Sequence, residues 1–515
     1  MNNRRAKALM VLGTASHVGK SLTVAALCRI FHQDGLSVAP FKAQNMALNS
    51  FATREGREIG RAQAMQAQAA GIEPHVDMNP ILLKPSSDTG SQAVLNGKVF
   101  GNITAADYQK IKPQLFASVV EAYNRLASRY EFIILEGAGS PVEVNLKDGD
   151  IVNLKMAEVA DAACILVADI DRGGVFASLV GTYELLTPSE RGRFGGFVIN
   201  KFRGDVDLLQ PGIDFLEKRL RQRCLGVVPY LPDLKVDEED SVALEELAGI
   251  GRGAPTTSDQ LRVCVIRLPH ISNYTDFTSL EVASDVTLFY ARAASDARAA
   301  DVLILPGSKN TIADLNWLRA TCLADVVIEH ANAGRPVIGI CGGFQMLGRE
   351  ILDPFHVESE VDRASGLGLI DAVTSLEREK ITRQATARLI DPEVIGATEP
   401  GPVFEGYEIH MGETYLGPHA QPLFSLKRLG DENSIFDGAV SDDGRIIGTY
   451  LHGLFDSTGA TAALLAHLRR LCGRPQKLET INTMARREQH TNELAAHFRR
   501  HLNIEAIYRL IGVVR

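Results

Sequence analysis

The sequence has no apolar run near the roughly 18–20 residues that span a bilayer, so no membrane-crossing helix is expected. It has no surplus of positive charge: 54 Lys and Arg stand against 63 Asp and Glu, a formal net charge of −9. A chain this acidic has no overall electrostatic reason to bind nucleic acid or anionic lipid. Paired cysteines are missing too. The seven cysteines are scattered, with no C-x-x-C pair. That argues against zinc and against a disulfide framework, and for a reduced, cytoplasmic compartment. The first residues, Met1-Asn2-Asn3-Arg4-Arg5, lead into a short apolar run without a small-residue cleavage site. The run reads as a first strand, not a signal peptide. There is no internal repeat and no low-complexity tract.

What is present is an ordinary globular composition over 515 residues, with 45% hydrophobic and 23% charged, long enough for several domains. Short apolar runs at 8–12, 37–41, 132–135, 164–168, 194–199 and 225–228 alternate with helix-length segments. That rhythm predicts βα units and a mainly parallel sheet. Residues 233–260 break it with an acidic cluster, Asp237-Glu238-Glu239-Asp240, and a Gly/Pro/Thr-rich stretch, and read as a linker. A second α/β rhythm follows, with strands at 262–267, 302–305, 337–340 and 446–450. The tail reads as helical, with apolar positions Leu494, Phe498, Ile504, Ile507, Tyr508 and Ile511. Its Arg486, Arg487, Arg499 and Arg500, interleaved with Glu488 and Glu493, read as solvated helix faces. The expected architecture is α/β: two three-layer domains with mainly parallel sheets at 1–232 and 261–458, and a helical C-terminal extension at 459–515.

Two motifs carry chemistry. In the first, a strand runs into Gly13-Thr14-Ala15-Ser16-His17-Val18-Gly19-Lys20-Ser21 and then an apolar helix. Glycines let backbone N–H groups face phosphates, Lys20 reaches the β/γ oxygens, and the Ser21 hydroxyl can ligate Mg²⁺. Thr14 stands where the standard P-loop has its first glycine, and Gly13 comes one residue early. Glu136 ends the strand at 132–135, where a carboxylate can hold Mg²⁺ beside the phosphates. Asp169-Ile170-Asp171-Arg172-Gly173-Gly174 ends another strand at the same edge. There Asp171 and Arg172 either contact metal or substrate or form a structural turn.

In the second motif, an apolar strand delivers Cys341 into Gly342-Gly343 and a helix. Gly339-x-Cys341-x-Gly343 is the thiol counterpart of a nucleophile elbow, with the helix N-terminus favouring the thiolate. The Gly342 N–H can form half of an oxyanion hole, and Pro306-Gly307-Ser308, at the end of the preceding strand, can supply the other donor through Gly307. A cysteine nucleophile needs a base, and His452, just after the strand at 446–450, is the candidate. The remaining six cysteines read as structural.

The first motif resembles the dethiobiotin synthetase-like branch of P-loop enzymes, which phosphorylate a carboxylate so that an amine can attack it. The resemblance implies that Lys42, after the second strand, is a further phosphate-facing lysine and that Asn200 reads the adenine. The second motif resembles class I glutamine amidotransferase domains, which release ammonia from glutamine through a cysteinyl thioester. Their third member, a glutamate two residues after the histidine, is replaced here by Leu454. The branch with the cobyrinic acid amide synthases is known for lacking it.

From residue 7 to about 456 the chain resembles the cobyric acid synthase family. The carrying segments are 41–50 (Phe-Lys-Ala-Gln-Asn-Met-Ala-Leu-Asn-Ser), 169–175, 200–205 and 407–412 (Tyr-Glu-Ile-His-Met-Gly). The resemblance implies ATP- and glutamine-dependent amidation of a corrinoid polycarboxylate, at carboxylates b, d, e and g of adenosylcobyrinic acid a,c-diamide, with Mg²⁺ as cofactor. It places Gln44, Asn45 and Asn49 at the synthetase site, although polar side chains there could also simply fix a loop. His410 either binds the corrinoid or sits between domains. The a,c-diamide synthase is the nearest alternative, and a non-catalytic P-loop nucleotide switch a more distant one. The expected partners are small molecules, ATP, L-glutamine and the corrinoid; a homo-oligomer stays open.

Overall fold

The computed structural model describes residues 5–86, 90–231, 259–476 and 482–513. The expected linker at 233–260 lies outside the described residues, apart from its last two.

The first half is built on a six-stranded sheet in the order Cys224–Pro229, Phe194–Phe202, Ala163–Asp169, Lys7–Gly13, Phe132–Glu136, Val38–Phe41. Every neighbouring pair is parallel. Its strands are apolar on both faces because both faces are covered. Ala8, Met10 and Leu12 point into a core shared with Tyr123 and Leu126 of the helix Ala105–Ala127. Leu9 and Val11 point the other way, against Leu27, Ile30 and Phe31 of the helix Lys20–Gln33.

The second half repeats the plan. Strands Val286–Ala291, Leu261–Ile266, Val302–Leu305, Val337–Ile340 and Ile446–Thr449 run parallel, and the short Ala439–Val440 closes the edge antiparallel. A further sheet, mostly antiparallel, is built around Ala372–Leu389 and Val403–Leu416, 18 and 14 residues long. It extends the expectation of mainly parallel sheets. Parts of its strands alternate buried and open positions, as in Ala372–Leu376, and charge is frequent along them, as in Glu377-Arg378-Glu379, so they read as polar surface in sequence.

The tail is helical, but its parts go different ways. Thr458–Leu471 adds Leu464, Leu465 and Leu468 to the second core. Thr483–His501 and Ile504–Leu510 cross back to the first half, where Leu494, Phe498, Ile504, Ile507, Tyr508 and Ile511 join the core that holds Leu9 and Val11. The tail arginines are therefore not merely solvated. Arg499 pairs with Asp34 of the first half at 3.1 Å, and Arg487 with Asp456 of the second at 3.1 Å. The helix acts as a strap across both halves.

Candidate active sites

At the carboxyl edge of the first sheet the strand ends gather a phosphate-type site. Gly19 caps the helix Lys20–Gln33 at φ 98, a left-handed conformation that favours glycine. Lys20 Nζ donates to the carbonyls of Ala15 (2.8 Å) and Gly139 (3.1 Å), so it lies across the loop that begins at Gly13 and Thr14. Glu136 is almost fully buried and saturated by donors. Its Oε1 accepts from Ser21 Oγ (2.9 Å) and pairs with Lys42 Nζ (2.8 Å), and its Oε2 accepts from Gln66 Nε2 (2.6 Å). Burial works against its charge; the Lys42 ammonium and the Lys42, Gln66 and Ser21 hydrogen bonds outweigh it and hold the carboxyl below its ordinary range. The structure thus brings Gly13, Thr14, Gly19, Lys20, Ser21, Lys42 and Glu136 to one edge. Gln66 was not anticipated from sequence; nothing local marks it in an alanine- and glutamine-rich helix, Arg61–Ala69.

The other expected residues of this half divide. Asn200 donates to the Val18 carbonyl of the loop at 2.9 Å. Asp171 is exposed and pairs with Arg203 at 2.7 Å, and Arg172 is exposed beside it. Gln44 accepts from the Tyr108 hydroxyl, and Asn45 donates to Gln63 at 3.0 Å. Asn49 turns away from the nucleotide edge, and its Oδ1 accepts from the Tyr274 N–H of the second half at 3.1 Å. His410 also lies in the second half. It is buried, its Nδ1 meets the Gly412 carbonyl (2.8 Å), its Nε2 meets Glu408 (3.3 Å), and its ring stacks on Tyr450 at 3.9 Å.

The second site is the elbow. Cys341 caps the helix Gly342–Leu347 at φ 53, ψ −111, a conformation a side-chain-bearing residue holds only when its surroundings force it. A β-carbon on Gly343 would lie 2.0 Å from the Leu305 carbonyl oxygen, so the helix can sit this close to strand Val302–Leu305 only with glycine there. A β-carbon on Gly342 would lie 2.9 Å from the Ser308 amide nitrogen, and one on Gly307 3.3 Å from His452 Cε1. The expected donors Gly342 and Gly307 therefore flank the thiol and the base. Burial pushes the thiols of Cys28, Cys164 and Cys264 up, as suits inert core groups.

His452 is buried and close enough to Cys341 to feel its thiol, which itself donates to the Ile409 carbonyl at 3.5 Å. Its Nδ1 meets Asp276 Oδ2 at 2.7 Å, and Asp276 Oδ1 accepts from the Gly453 N–H at 3.1 Å. Asp276 thus supplies the orienting acid that Leu454, buried in the core, cannot. Burial opposes a positive charge on the imidazole, but the Asp276 carboxylate prevails and raises its pKa. Sequence reasoning missed Asp276. Its only signal is a polar run, Ser272-Asn273-Tyr274-Thr275-Asp276, beyond the carboxyl end of strand Leu261–Ile266.

Between the sites the halves share a buried ionic cluster. Glu58 pairs with Lys84 at 2.7 Å and with Lys380 of the second half at 2.5 Å.

Comparisons with known proteins agree with this geometry. The CobQ/CobB/MinD/ParA nucleotide binding domain family matches residues 9–242, and the CobB/CobQ-like glutamine amidotransferase domain family matches residues 262–460. Fold and sites thus define a nucleotide-binding domain joined to a glutamine amidotransferase domain. Among curated proteins, a cobyric acid synthase of Syntrophobacter fumaroxidans is 48% identical over 514 residues, 99% of either chain. One of Photorhabdus laumondii is 49% identical over 511 residues, 98% of either chain. A crystal structure of a glutamine amidotransferase is 18% identical with a TM-score of 0.31, covering 41% of this chain and 98% of its own. The chain belongs to the cobyric acid synthase family.

Proposed function

We propose that the chain converts carboxylates b, d, e and g of adenosylcobyrinic acid a,c-diamide to amides, giving cobyric acid, with ATP and L-glutamine as co-substrates. The observation that carries this is the pairing, in one chain, of a P-loop site holding Lys20 and Lys42 with an elbow that gathers Cys341 beside the hydrogen-bonded His452–Asp276 pair. In this reading residues 1–232 form the synthetase, 261–458 the glutaminase and 459–515 the extension. The protein works in the cytoplasm on small molecules, without nucleic acid or membrane.

In the glutaminase, His452 takes the Cys341 proton and the sulfur attacks the glutamine amide carbon. The N–H groups of Gly342 and Gly307 steady the developing oxyanion. His452 returns the proton to the leaving nitrogen, ammonia departs, and a water activated by the same imidazole hydrolyses the thioester to glutamate. In the synthetase, a corrinoid carboxylate oxygen attacks the γ-phosphorus of ATP. ADP leaves and an acyl phosphate forms. Ammonia attacks its carbonyl carbon, phosphate leaves, and the amide remains.

Lys20 and Lys42 meet the charge on the transferring group, and Asn200 takes the adenine beside the loop. Asp171, Arg172, Gln44 and Asn45 serve the acceptor side. Asn49 bridges the two sides, its carbonyl on the Arg61 N–H and its side chain on the Tyr274 N–H, and His410 belongs to the glutaminase side. The donor set of Ser21 hydroxyl and Glu136 carboxylate, 2.9 Å apart, is hard oxygen and suits Mg²⁺, which needs only one or two carboxylates beside phosphates and water. Bound there, Mg²⁺ would neutralise phosphate charge.

The test is product analysis with the a,c-diamide, ATP and glutamine. Four successive mass losses of carboxylate to amide are expected. Turnover of the unamidated corrinoid alone would overturn the assignment in favour of the a,c-diamide synthase reaction.

A further inference from the structure

Two consecutive residues of the first half reach into the surroundings of His452. The Ser50 N–H donates to Asn273 Oδ1 at 2.9 Å. The Ser50 carbonyl accepts from the Tyr407 hydroxyl at 3.4 Å, and the Tyr407 ring stacks on the His452 ring at 5.3 Å and 18°. Asn49 Oδ1 accepts from the Tyr274 N–H at 3.1 Å. Asn273 itself is buried in a left-handed turn at φ 53, a conformation asparagine tolerates, and its Nδ2 lies 3.3 Å from His452 Nε2.

We propose that Asn273 is the positioning residue of the glutaminase base and that the synthetase half, through Ser50, dictates which end of its amide meets His452. The two ends of an asparagine amide have nearly the same shape, and hydrogen bonding decides between them. A backbone N–H can only donate, so Ser50 fixes the oxygen on its own side. Nδ2 is thereby turned to His452 Nε2. An N–H donor suits that nitrogen only while it carries a lone pair, which is the form that accepts the thiol proton. Asp276, on the opposite ring nitrogen, favours the imidazolium. Asn273 opposes it by favouring the neutral ring, and yields the Nε2 lone pair when the thiol proton arrives.

Among the described residues, other charged or titratable groups nearby are Cys341, whose thiol lies near the ring and donates to the Ile409 carbonyl, the Tyr407 hydroxyl on Ser50, the buried Lys309 ammonium, which interacts with Cys341, and Lys84, whose ammonium donates to Ser50 Oγ at 2.9 Å. None of these reverses the amide's orientation.

The inference rests on the glutaminase reading above. Hydrolysis of glutamine by the unaltered full chain tests that reading, and variants test this one. Asn273→Asp keeps an acceptor for Ser50 and replaces only the donor facing His452. Its acid limb of glutaminase kcat/KM should move up by about one pH unit or more, and kcat near neutral pH should fall about tenfold. The glutamine KM should stay within about twofold. A limb that superposes on that of the unaltered chain overturns the proposal, as does a change confined to KM. Asn49→Ala should move the limb in the same direction by less and add nothing in the Asn273→Asp background. If its full effect persists in that background, the synthetase half does not act through Asn273 and the link is wrong.

Discussion

The elbow holds Cys341 in a strained left-handed turn with its base and acid already aligned, whereas the P-loop edge holds Glu136, Lys42, Ser21 and Gln66 bonded to one another. The difference follows from what each site must do. A thiol that attacks a small amide benefits from geometry fixed beforehand, and the fold maintains that geometry with glycine contacts closer than a side chain permits. A phosphate site must exchange internal bonds for ligand bonds. Its lysines rest on a carboxylate and on carbonyls, which phosphate would replace in the proposed reaction. One site is shaped by close glycine contacts; the other pairs its own charges.

The sharpest way to break this comparison is Lys20→Ala. Synthesis from either glutamine or added ammonia should fall by about 10³-fold or more, because activation of the carboxylate needs the γ-phosphate; retained ammonia-driven synthesis would refute the role of the loop. Cys341→Ala should abolish glutamate release and glutamine-driven synthesis while ammonia-driven synthesis continues. Loss of both would mean the two regions are not chemically separate.

Asp276→Asn should lower glutaminase kcat by about 10²- to 10⁴-fold, since the amide leaves the ring geometry but removes the charge that holds its tautomer. An effect under about threefold would return the third position of the triad to an open question.

The smallest effects belong to the ionic cluster between the regions. Glu58→Gln leaves Lys84 and Lys380 buried without their counter-ion and should destabilise the chain by about 3–5 kcal/mol, read as a lower urea midpoint. Burial raises the Glu58 carboxyl, the two lysines overcome it, and the net shift is downward. Its contribution is therefore full above the ordinary glutamate range and fades as pH falls through the folded-state value. Burial pushes Lys380 down to about 7 despite Glu58. From there to the ordinary lysine range the unfolded chain binds more protons, so stability should rise with pH, and Lys380→Met should flatten that rise. A slope unchanged by Lys380→Met would assign it to another group.

Much of this was legible in the sequence where function is local. The loop from Gly13 to Ser21 and the elbow around Cys341 each sit on one strand, one turn and one helix, so spacing alone predicts their chemistry. Glu136 was legible because α/β sheets collect functional groups at strand ends; Lys42 came from the resemblance alone. Asp276, Asn273 and Gln66 were not, because each acts through a contact between segments far apart in the chain, and a lone polar residue carries no period. The long antiparallel strands were hidden for a different reason. With one face open, charged residues such as Glu377, Arg378, Arg383, Glu405 and Glu413 interrupt them, and they lack the continuous apolar runs of the parallel strands. Asn49 shows what resemblance leaves out: it is expected at the synthetase site, and its Oδ1 accepts from the Tyr274 N–H of the second half.

The strap at Thr483–His501 and Ile504–Leu510 sets the timetable of folding. Leu9, Val11, Ile134, Ile165 and Val167 share a core with Leu494, Phe498 and Ile507, so part of the first sheet's face is finished only by helices synthesised long after it. At about 5–20 residues per second the ribosome needs roughly 15–60 s to reach them after the first half has emerged. During that interval the face that Leu494, Phe498 and Ile507 cover stays open. A chain halted before residue 494 would carry both motifs and still lack a finished first domain.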